Sequence, residues 1–357
     1  MKIRSAFSVY KEIRYLKSVI KKYGDSLAQG NYHLFGCFRS MALAEPEIMA
    51  LASPYIEKQA LSNTKASIAC KLNRIHFFKN KNKKTNGKYE AFYSANNFDK
   101  KREVKLFSFK EKKILTICTS PQEAEKQLQQ YQTFSKRYPM PLVKASDTYP
   151  CAYEISMVDL QEFPGDSMAL GAIADCGTKS VLQDTELQTV PARELVAHSY
   201  ENTEMNEMLA ELISHINDDV LAESIPLCLQ HGDLSKDNLI YGDADGKRDF
   251  WWIDWEHAAK RPFFYDYFFY ILNSAIYFDN KALQSYVQGK EDASLSAFFA
   301  AYGLTYDFHK KKDYFLLFAI VFLKERICDR GNIHALKMYF DFLKQQLDLS
   351  APKGDSK

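Results

Sequence analysis

The sequence predicts an α+β chain in which a mainly β segment precedes a larger, mainly helical one. Three observations carry this. After a Lys, Asn and Gly run at 79–88, which reads as a loop or linker, the apolar period drops to two. "YEAFYSA", "REVKLFSF" and "KKILTICTS" read as strands, the last two joined by a tight turn near Lys110 and Glu111. Next, "SPQEAEKQLQQYQTFSKRY" opens a helix, with Ser120 as N-cap, Pro121 at the first helical position and Glu123 three residues after the cap. "MPLVKASD" and "CAYEISMVDLQ" then return to strand patterning, giving β-β-β-α-β-β. Last, Glu162 to about Ser224 and about Phe263 to Leu349 are helical in pattern, interrupted by the strand-like "IPLCLQ" and a polar stretch at 231–258.

Composition sets the class. The 357 residues suffice for two domains or one two-lobed enzyme, and 25 Phe with 22 Tyr favour an aromatic core over disorder. A net charge of +2 says little about partners. Seven scattered cysteines, an odd number with no CxxC pair, fit reduced thiols in a cytoplasmic protein. No Cys or His stands at zinc-ligand spacing. The basic start lacks the uninterrupted apolar core of a secretory signal. The longest apolar run, "YFLLFAIVFL" at 314–323, is too short to span a bilayer and reads as a buried helix.

Charge is uneven at the N-terminal end. Residues 1–23 read as a helix with Ile3, Phe7, Tyr10, Ile13, Leu16 and Ile20 at three- and four-residue spacing and lysines between. Such a helix either lies on an anionic membrane, here the inner face, or packs its stripe on the protein. Residues 71–88 hold seven Lys or Arg and no acid, a solvated loop or a face for a polyanion. No aromatic platform or nucleic-acid motif accompanies them, so nucleic acid is not expected as a partner. Residues 24–78 give mixed helical hints and no motif. The expected division is a basic extension over 1–88, a β-rich unit over 89–160, a helical unit over 161–349 and a disordered tail over 350–357.

The chemistry concentrates in "HGDLSKDNLIYGDADGKRDFWWIDWEHA", residues 231–258. "IPLCLQ" delivers His231, Gly232 and Asp233 into a loop. Asn238 opens a short strand, "DADGK" turns at Gly246, and the return strand ends in Asp254. The hairpin therefore sets Asn238 and Asp254 side by side near Asp233. Hard oxygen donors of this kind suit Mg²⁺, which completes its shell with phosphate and water. Asp233 stays free to accept a hydroxyl proton as a general base.

H-G-D-L-S-K-D-N followed by I-D-W-E resembles the catalytic loop and metal-binding Asp of protein-kinase-like phosphotransferases, and is most similar to the aminoglycoside phosphotransferase and choline kinase superfamily. Protein kinases usually carry Arg at the Gly232 position and Asp-Phe-Gly where this chain has Asp254-Trp255-Glu256. The resemblance spans roughly 89–345 and implies a two-lobed kinase-like fold, with a small mainly-β N-lobe, a larger mainly-α C-lobe and an N-terminal extension. It implies ATP and Mg²⁺ as cofactors, Asp233 as catalytic base, and Asn238 and Asp254 as metal ligands. His231 and Asp266 take structural roles, Asp266 bonding to the loop backbone. Met157, Val158 and Leu160 would form the hinge whose backbone meets the adenine. Lys236 is a second catalytic candidate, steadying the transferring phosphoryl group, with a solvated loop Lys as the alternative.

Two departures stand out. "SANNFDKK" replaces a Gly-rich phosphate loop, with Asn96 and Asn97 able to take turn geometry. "KKILTICTS" has Thr116 or Ile117 where a strand Lys is expected. Lys105, on the preceding strand, is the substitute cation, and Glu125 or Glu123 its helix partner, with capping the stronger reading for Glu123. The expected activity is ATP- and Mg²⁺-dependent transfer of the γ-phosphoryl group to a hydroxyl of a small molecule, sugar or cell-envelope glycan precursor. The acceptor would lie against C-terminal helices rich in Phe and Tyr, where Asp279, Glu291 and Asp292 would suit an amine. The alternative is a pseudokinase scaffold that binds nucleotide or a partner without efficient catalysis, motivated by the missing strand Lys and glycines.

Overall fold

The computed structural model describes residues 3–35, 40–56, 78–81, 87–94, 103–181 and 187–349. The expected phosphate loop with Asn96 and Asn97, most of the basic run at 71–88, and the tail at 350–357 lie outside the described residues. The chain is α+β, as expected, and divides into two units. One is Met1–Glu162 with Tyr241–Trp251, and the other is Phe163–Ile240 with Trp252–Lys357.

The first unit is built on an eight-stranded antiparallel sheet. Helix α1 (Ile3–Tyr23) leads into β1 (Gly30–Phe35) and β2 (Ser40–Leu43), followed by α2 (Pro46–Ile56) and β3 (Phe78–Asn80). Then come β4 (Ala91–Ser94), β5 (Val104–Ser108), β6 (Lys113–Ile117), α3 (Pro121–Phe134), β7 (Val143–Ala145) and β8 (Ala152–Ser156). This later run is the β-β-β-α-β-β order read from the sequence. The strand order β3-β1-β2-β4-β5-β6-β8-β7 corrects two expectations. Gly30–Phe35 and Ser40–Leu43 are strands that continue the same sheet, so no boundary at 88 divides it. The run at 79–88 begins inside β3, and buried Asn80 donates from Nδ2 to Gly24 O (2.9 Å) and Leu27 O (2.8 Å). One buried amide thereby satisfies two carbonyls where α1 hands over to β1.

From Ile13 onward the apolar stripe of α1 is covered by protein. Leu16, Val19, Ile20 and Tyr23 are buried against Tyr32, Met41, Phe92, Leu106 and Leu115 of the sheet. Over these residues, packing wins over membrane contact. Among the described residues, no helix is long and apolar enough to cross a membrane. Helix α3 starts as its sequence predicts, with Ser120 Oγ accepting from Glu123 N at 3.2 Å.

After β8, β9 (Asp159–Leu160) pairs with β12 (Leu239–Ala244), which forms a hairpin with β13 (Lys247–Trp252). The turn residues Asp245 (φ 52°) and Gly246 (φ 79°) are both left-handed, as a two-residue Asp-Gly hairpin requires.

The second unit carries a three-stranded sheet in which β11 (Ser224–Gln230) lies between β10 (Gln188–Pro191) and β14 (Ala259–Pro262). Its helices are α4 (Asp166–Val181), α5 (Ala192–Val196), α6 (Thr203–Ser214), α7 (Asp218–Ala222), α8 (Tyr265–Tyr277), α9 (Lys281–Val287), α10 (Asp292–Ala301), α11 (Lys311–Arg326) and α12 (Ile333–Leu347). The run "YFLLFAIVFL" is buried all round in α11. Aromatic rings fill this core: Phe263 stacks on Tyr302 at 4.3 Å, and Phe268 meets Phe315 edge-on at 5.6 Å. A helix apolar on every side is stable only in such surroundings.

Candidate active site

The loop after β11 is held by groups from four places in the second unit. Asp266, in the first turn of α8, is 3% exposed and accepts from the backbone N–H of His231 (2.6 Å) and of Gly232 (2.8 Å). Burial pushes its carboxyl up to about 6, against the pull of those two N–H bonds. Gln230 Oε1 in turn accepts from Asp266 N at 2.9 Å.

His231 is fully buried, with its ring 4.7 Å from that of Trp255. Nε2 lies 2.7 Å from Ile253 O, and Nδ1 accepts from Asp233 N at 3.2 Å. Both ring nitrogens are satisfied in the neutral form protonated at Nε2. Burial lowers the pKa to about 4, so the ring stays uncharged at neutral pH.

Gly232 has φ 80°, and a Cβ there would stand 2.4 Å from Arg261 Nη1 and 2.5 Å from His257 O. This explains the Gly where protein kinases usually carry Arg. Arg261 crowds the position and is itself pinned, with Nε 2.7 Å from Glu325 Oε2, Nη1 2.9 Å from His257 O and the guanidinium over the Tyr265 ring.

Asp233 and Asn238 are joined directly. Asn238 Nδ2 donates to Asp233 O (2.8 Å) and, at 3.3 Å, to Asp233 Oδ2. Ile253 N donates to Asn238 O at 3.0 Å, which puts Asp254 next to Asn238 in space. Asp254 has φ 66° and ψ 64°, a left-handed conformation that costs a non-glycine residue about 1–3 kcal/mol. Its exposed carboxylate makes no cap bond to the short 3₁₀ turn Trp255–His257 and has no hydrogen-bond partner among the described residues. Burial raises the Asp233 pKa, with Arg326 opposing and the Asp254 charge adding to the rise.

This donor set fits Mg²⁺. Asn238 spends its Nδ2 on Asp233 and keeps Oδ1 as a hard oxygen donor, and Asp254 adds one carboxylate. Mg²⁺ needs few protein ligands because phosphate and water complete its shell. Among the described residues, no group of three or more His, Cys, Asp or Glu side chains could hold a metal.

The remaining candidates are placed as follows. Lys236 is not a solvated loop lysine. Its Nζ lies 2.8 Å from Asp166 Oδ1 and over the rings of Phe163 and Phe278. In the first unit, β6 precedes α3 and is therefore the strand on which the Lys was expected, with Thr116 buried within it. Lys105 on β5 is the register partner of Thr116, so the two share one sheet face. The carboxylate beside Lys105 is Glu103, at 3.4 Å. Glu125 is exposed and accepts from Gln129 Nε2 one turn along α3, while Glu123 caps through Thr119 N. Met157 N donates to Lys112 O (2.8 Å), Val158 O accepts from the Tyr55 hydroxyl (2.6 Å), and Leu160 pairs with Gly242 in β9.

The cavity beside Asp233 departs from the acidic lining expected. Its walls come from α8, α11, α12, the loop of Asp233 and the turn after α11, with Arg326 and Arg330 among the lining residues. Asp279, Glu291 and Asp292 are not in it, being paired instead with Lys281, Ser285 and Lys311 respectively. Arg326, which sequence reasoning missed, donates from Nη2 to Gly232 O at 2.6 Å and lies 3.6 Å from Asp233 Oδ1. "KERICDR" alone gave no signal for it, because the contact spans 94 residues of sequence.

No curated protein matches the chain. Among solved structures, the choline kinase LicA from Streptococcus pneumoniae is 12% identical with a TM-score of 0.43, covering 80% of this chain and 100% of its own. A thermostable mutant of aminoglycoside phosphotransferase APH(4)-Ia is 13% identical at TM-score 0.43, covering 73% and 94%. A Plasmodium vivax ethanolamine kinase is 12% identical at TM-score 0.40, covering 85% and 94%. Residues 160–310, which contain the loop, the hairpin and Asp266, match the model of the Phosphotransferase enzyme family (APH).

Proposed function

We propose that this protein transfers the γ-phosphoryl group of ATP to a hydroxyl of a small-molecule acceptor. One observation carries the reading. Asp254 holds an exposed carboxylate in a strained left-handed conformation, beside Asn238 and within electrostatic reach of Asp233, with no structural bond to offset the strain. Strain of this kind persists where function requires the side chain.

Asp233 acts as the base. The acceptor oxygen attacks the γ-phosphorus as its proton passes to the Asp233 carboxylate. The bond from that phosphorus to the β,γ-bridging oxygen breaks, and ADP leaves with the electron pair. Asn238 Oδ1 and the Asp254 carboxylate would hold Mg²⁺, which supplies neutralising charge at the phosphates when bound. Asp266 and His231 keep the loop backbone in place for this, and the raised Asp233 pKa favours proton acceptance. Lys236, three residues after Asp233 and tethered by Asp166, is the loop's candidate cation for the transferring phosphoryl group. Lys105 is the candidate cation for the nucleotide phosphates, since it stands opposite Thr116 on the same face. Met157, Val158 and Leu160 remain the candidate adenine-contacting segment.

Mg·ATP should raise the melting temperature of the full chain by linkage. Asp254→Ala should remove most of that rise, and Asp233→Asn should keep the rise but abolish ADP release with a panel of alcohols and sugars. No rise at millimolar Mg·ATP would refute the proposal. Two observations favour a pseudokinase instead: Thr116 stands where the strand Lys is expected, and Glu125 pairs with Gln129. Nucleotide-dependent stabilisation without turnover on any acceptor would select that reading.

A further inference from the structure

The cavity beside Asp233 indicates the charge of the acceptor. It is about 210 Å³, below the ~300–1,000 Å³ of drug-sized ligand pockets, and so admits a molecule of about monosaccharide size. Its charged lining residues are Asp233, Arg326 and Arg330. Arg326 is already committed to Gly232 O and Asp233. Arg330 is exposed and forms no ion pair among the described residues. Asn273 and Tyr277 of α8 face the same space with Tyr339 of α12, and the Asn273 side-chain amide makes no hydrogen bond among the described residues. Asp233 is the one carboxylate in the lining, and Arg326 offsets its charge. Among the lining residues the unpaired charge is then the Arg330 guanidinium, whose planar fork suits a carboxylate or phosphate and repels an ammonium group.

We infer that the acceptor is a small hydroxyl compound bearing an anionic group, a carboxylate or phosphate monoester, which Arg330 binds while the reacting hydroxyl faces Asp233. Asn273 and the two tyrosines supply neutral hydrogen bonds to further hydroxyls. The inference rests on the phosphotransferase reading for its hydroxyl, but not for its anion.

The test uses the full chain and four sugars on one ring: glucose, glucosamine, glucuronate and glucose 1-phosphate, each at millimolar concentration. Melting temperature is read without nucleotide, and ADP release with Mg·ATP. Glucuronate or glucose 1-phosphate should stabilise the protein, glucose and glucosamine should not, and which anion acts separates carboxylate from phosphate. Arg330→Gln should weaken the anion about tenfold, the worth of one screened charge contact, and Arg330→Glu should shift the preference towards glucosamine. Exposed Arg330 is replaceable without loss of the fold, and the Mg·ATP-dependent rise serves as control. Stronger stabilisation by glucosamine or choline, no anion effect at all, or an anion effect untouched in both variants would overturn the inference. So would loss of the Mg·ATP-dependent rise in Arg330→Gln, which would assign the guanidinium to the nucleotide. If Mg·ATP itself has no effect on wild type, the phosphotransferase reading falls, while an Arg330-dependent anion response would still stand.

Discussion

Gly232→Ala tests how the loop that carries Asp233 is held. Two penalties add. The backbone at φ 80° costs a residue with a Cβ about 1–2 kcal/mol. The new methyl would also lie 2.4 Å from Arg261 Nη1 and 2.5 Å from His257 O. His257 O is backbone and cannot swing aside. Arg261 can move only by giving up its bond to Glu325 or to His257 O, each worth about 1.5–3 kcal/mol as a charge-assisted bond. The sum is about 3–5 kcal/mol, or a fall in Tm of about 10 °C at the 2–4 °C per kcal/mol usual for a unit of this size. Thermal melting of four proteins measures it: wild type, Gly232→Ala, Arg261→Met and the double variant. Part of the Gly232→Ala loss should disappear in the Arg261→Met background, because only the backbone penalty and the His257 O contact remain. ADP release should fall with the loop, since Asp233 is the next residue. An unchanged Tm in Gly232→Ala, or the same loss in both backgrounds, would refute the reasoning.

Acid stability should reveal two opposed buried groups. His231, lowered by burial to about 4 from 6.5, contributes about 3 kcal/mol that is fully present above pH 6.5 and lost as pH falls through 4. Asp266, raised to about 6 from 3.8, contributes about 3 kcal/mol present below pH 3.8 and lost as pH rises through 6. In wild type the two offset, whereas Asp266→Asn should become acid-labile and His231→Asn should gain stability on acidification. Urea melts from pH 7 to 4.5 decide it, and parallel profiles for all three proteins would count against the assignment. Asp254→Gly should raise Tm slightly, by the ~1 kcal/mol of relieved strain, while removing the Mg·ATP-dependent rise; a Tm fall of several degrees would show that the side chain has a structural role. Asp166→Asn should cost about 1–3 kcal/mol by stripping Lys236, 17% exposed, of its carboxylate, and Lys236→Met in the same background should recover part of that. Equal Tm for Asp166→Asn and wild type would show the pair to be idle.

The sequence was most legible where chemistry contradicts packing. Asp233, Asn238 and Asp254 break apolar strands, and an Asp-Gly turn marks the hairpin between them, so spacing alone brought them together. Asp266 was legible only through the family resemblance, because an acid in the first turn of a helix is ordinary. Arg261, Arg326 and Arg330 were not legible. A cation near a strand end or a helix C-terminus reads as solvated, and its target is chosen by packing between segments distant in sequence. The same limit hid the first strands. "GNYHLF" and "SMAL" are too short and too mixed to show a period of two, and their identity as strands comes from pairing with each other and with β3 and β4 on either side. Lys105 was a candidate by residue type, but its standing depends on a cross-strand register, Lys105 opposite Thr116, that no periodicity encodes.

The continuity of the sheet across β2 and β4 bears on how the protein can be dissected. Trimming the chain at residue 89, where the patterning changes, would strip β4 of the partner that pairs Ser40–Ala42 with Ala91–Tyr93. It would also remove Leu16, Tyr32, Leu34 and Met41 from one face of the remaining sheet. What remains is an unpaired strand edge next to uncovered apolar surface, the combination that recruits other chains by strand addition. A shortened protein should therefore aggregate rather than report on residues 89 onward in isolation, and heterologous expression should retain the first 88 residues.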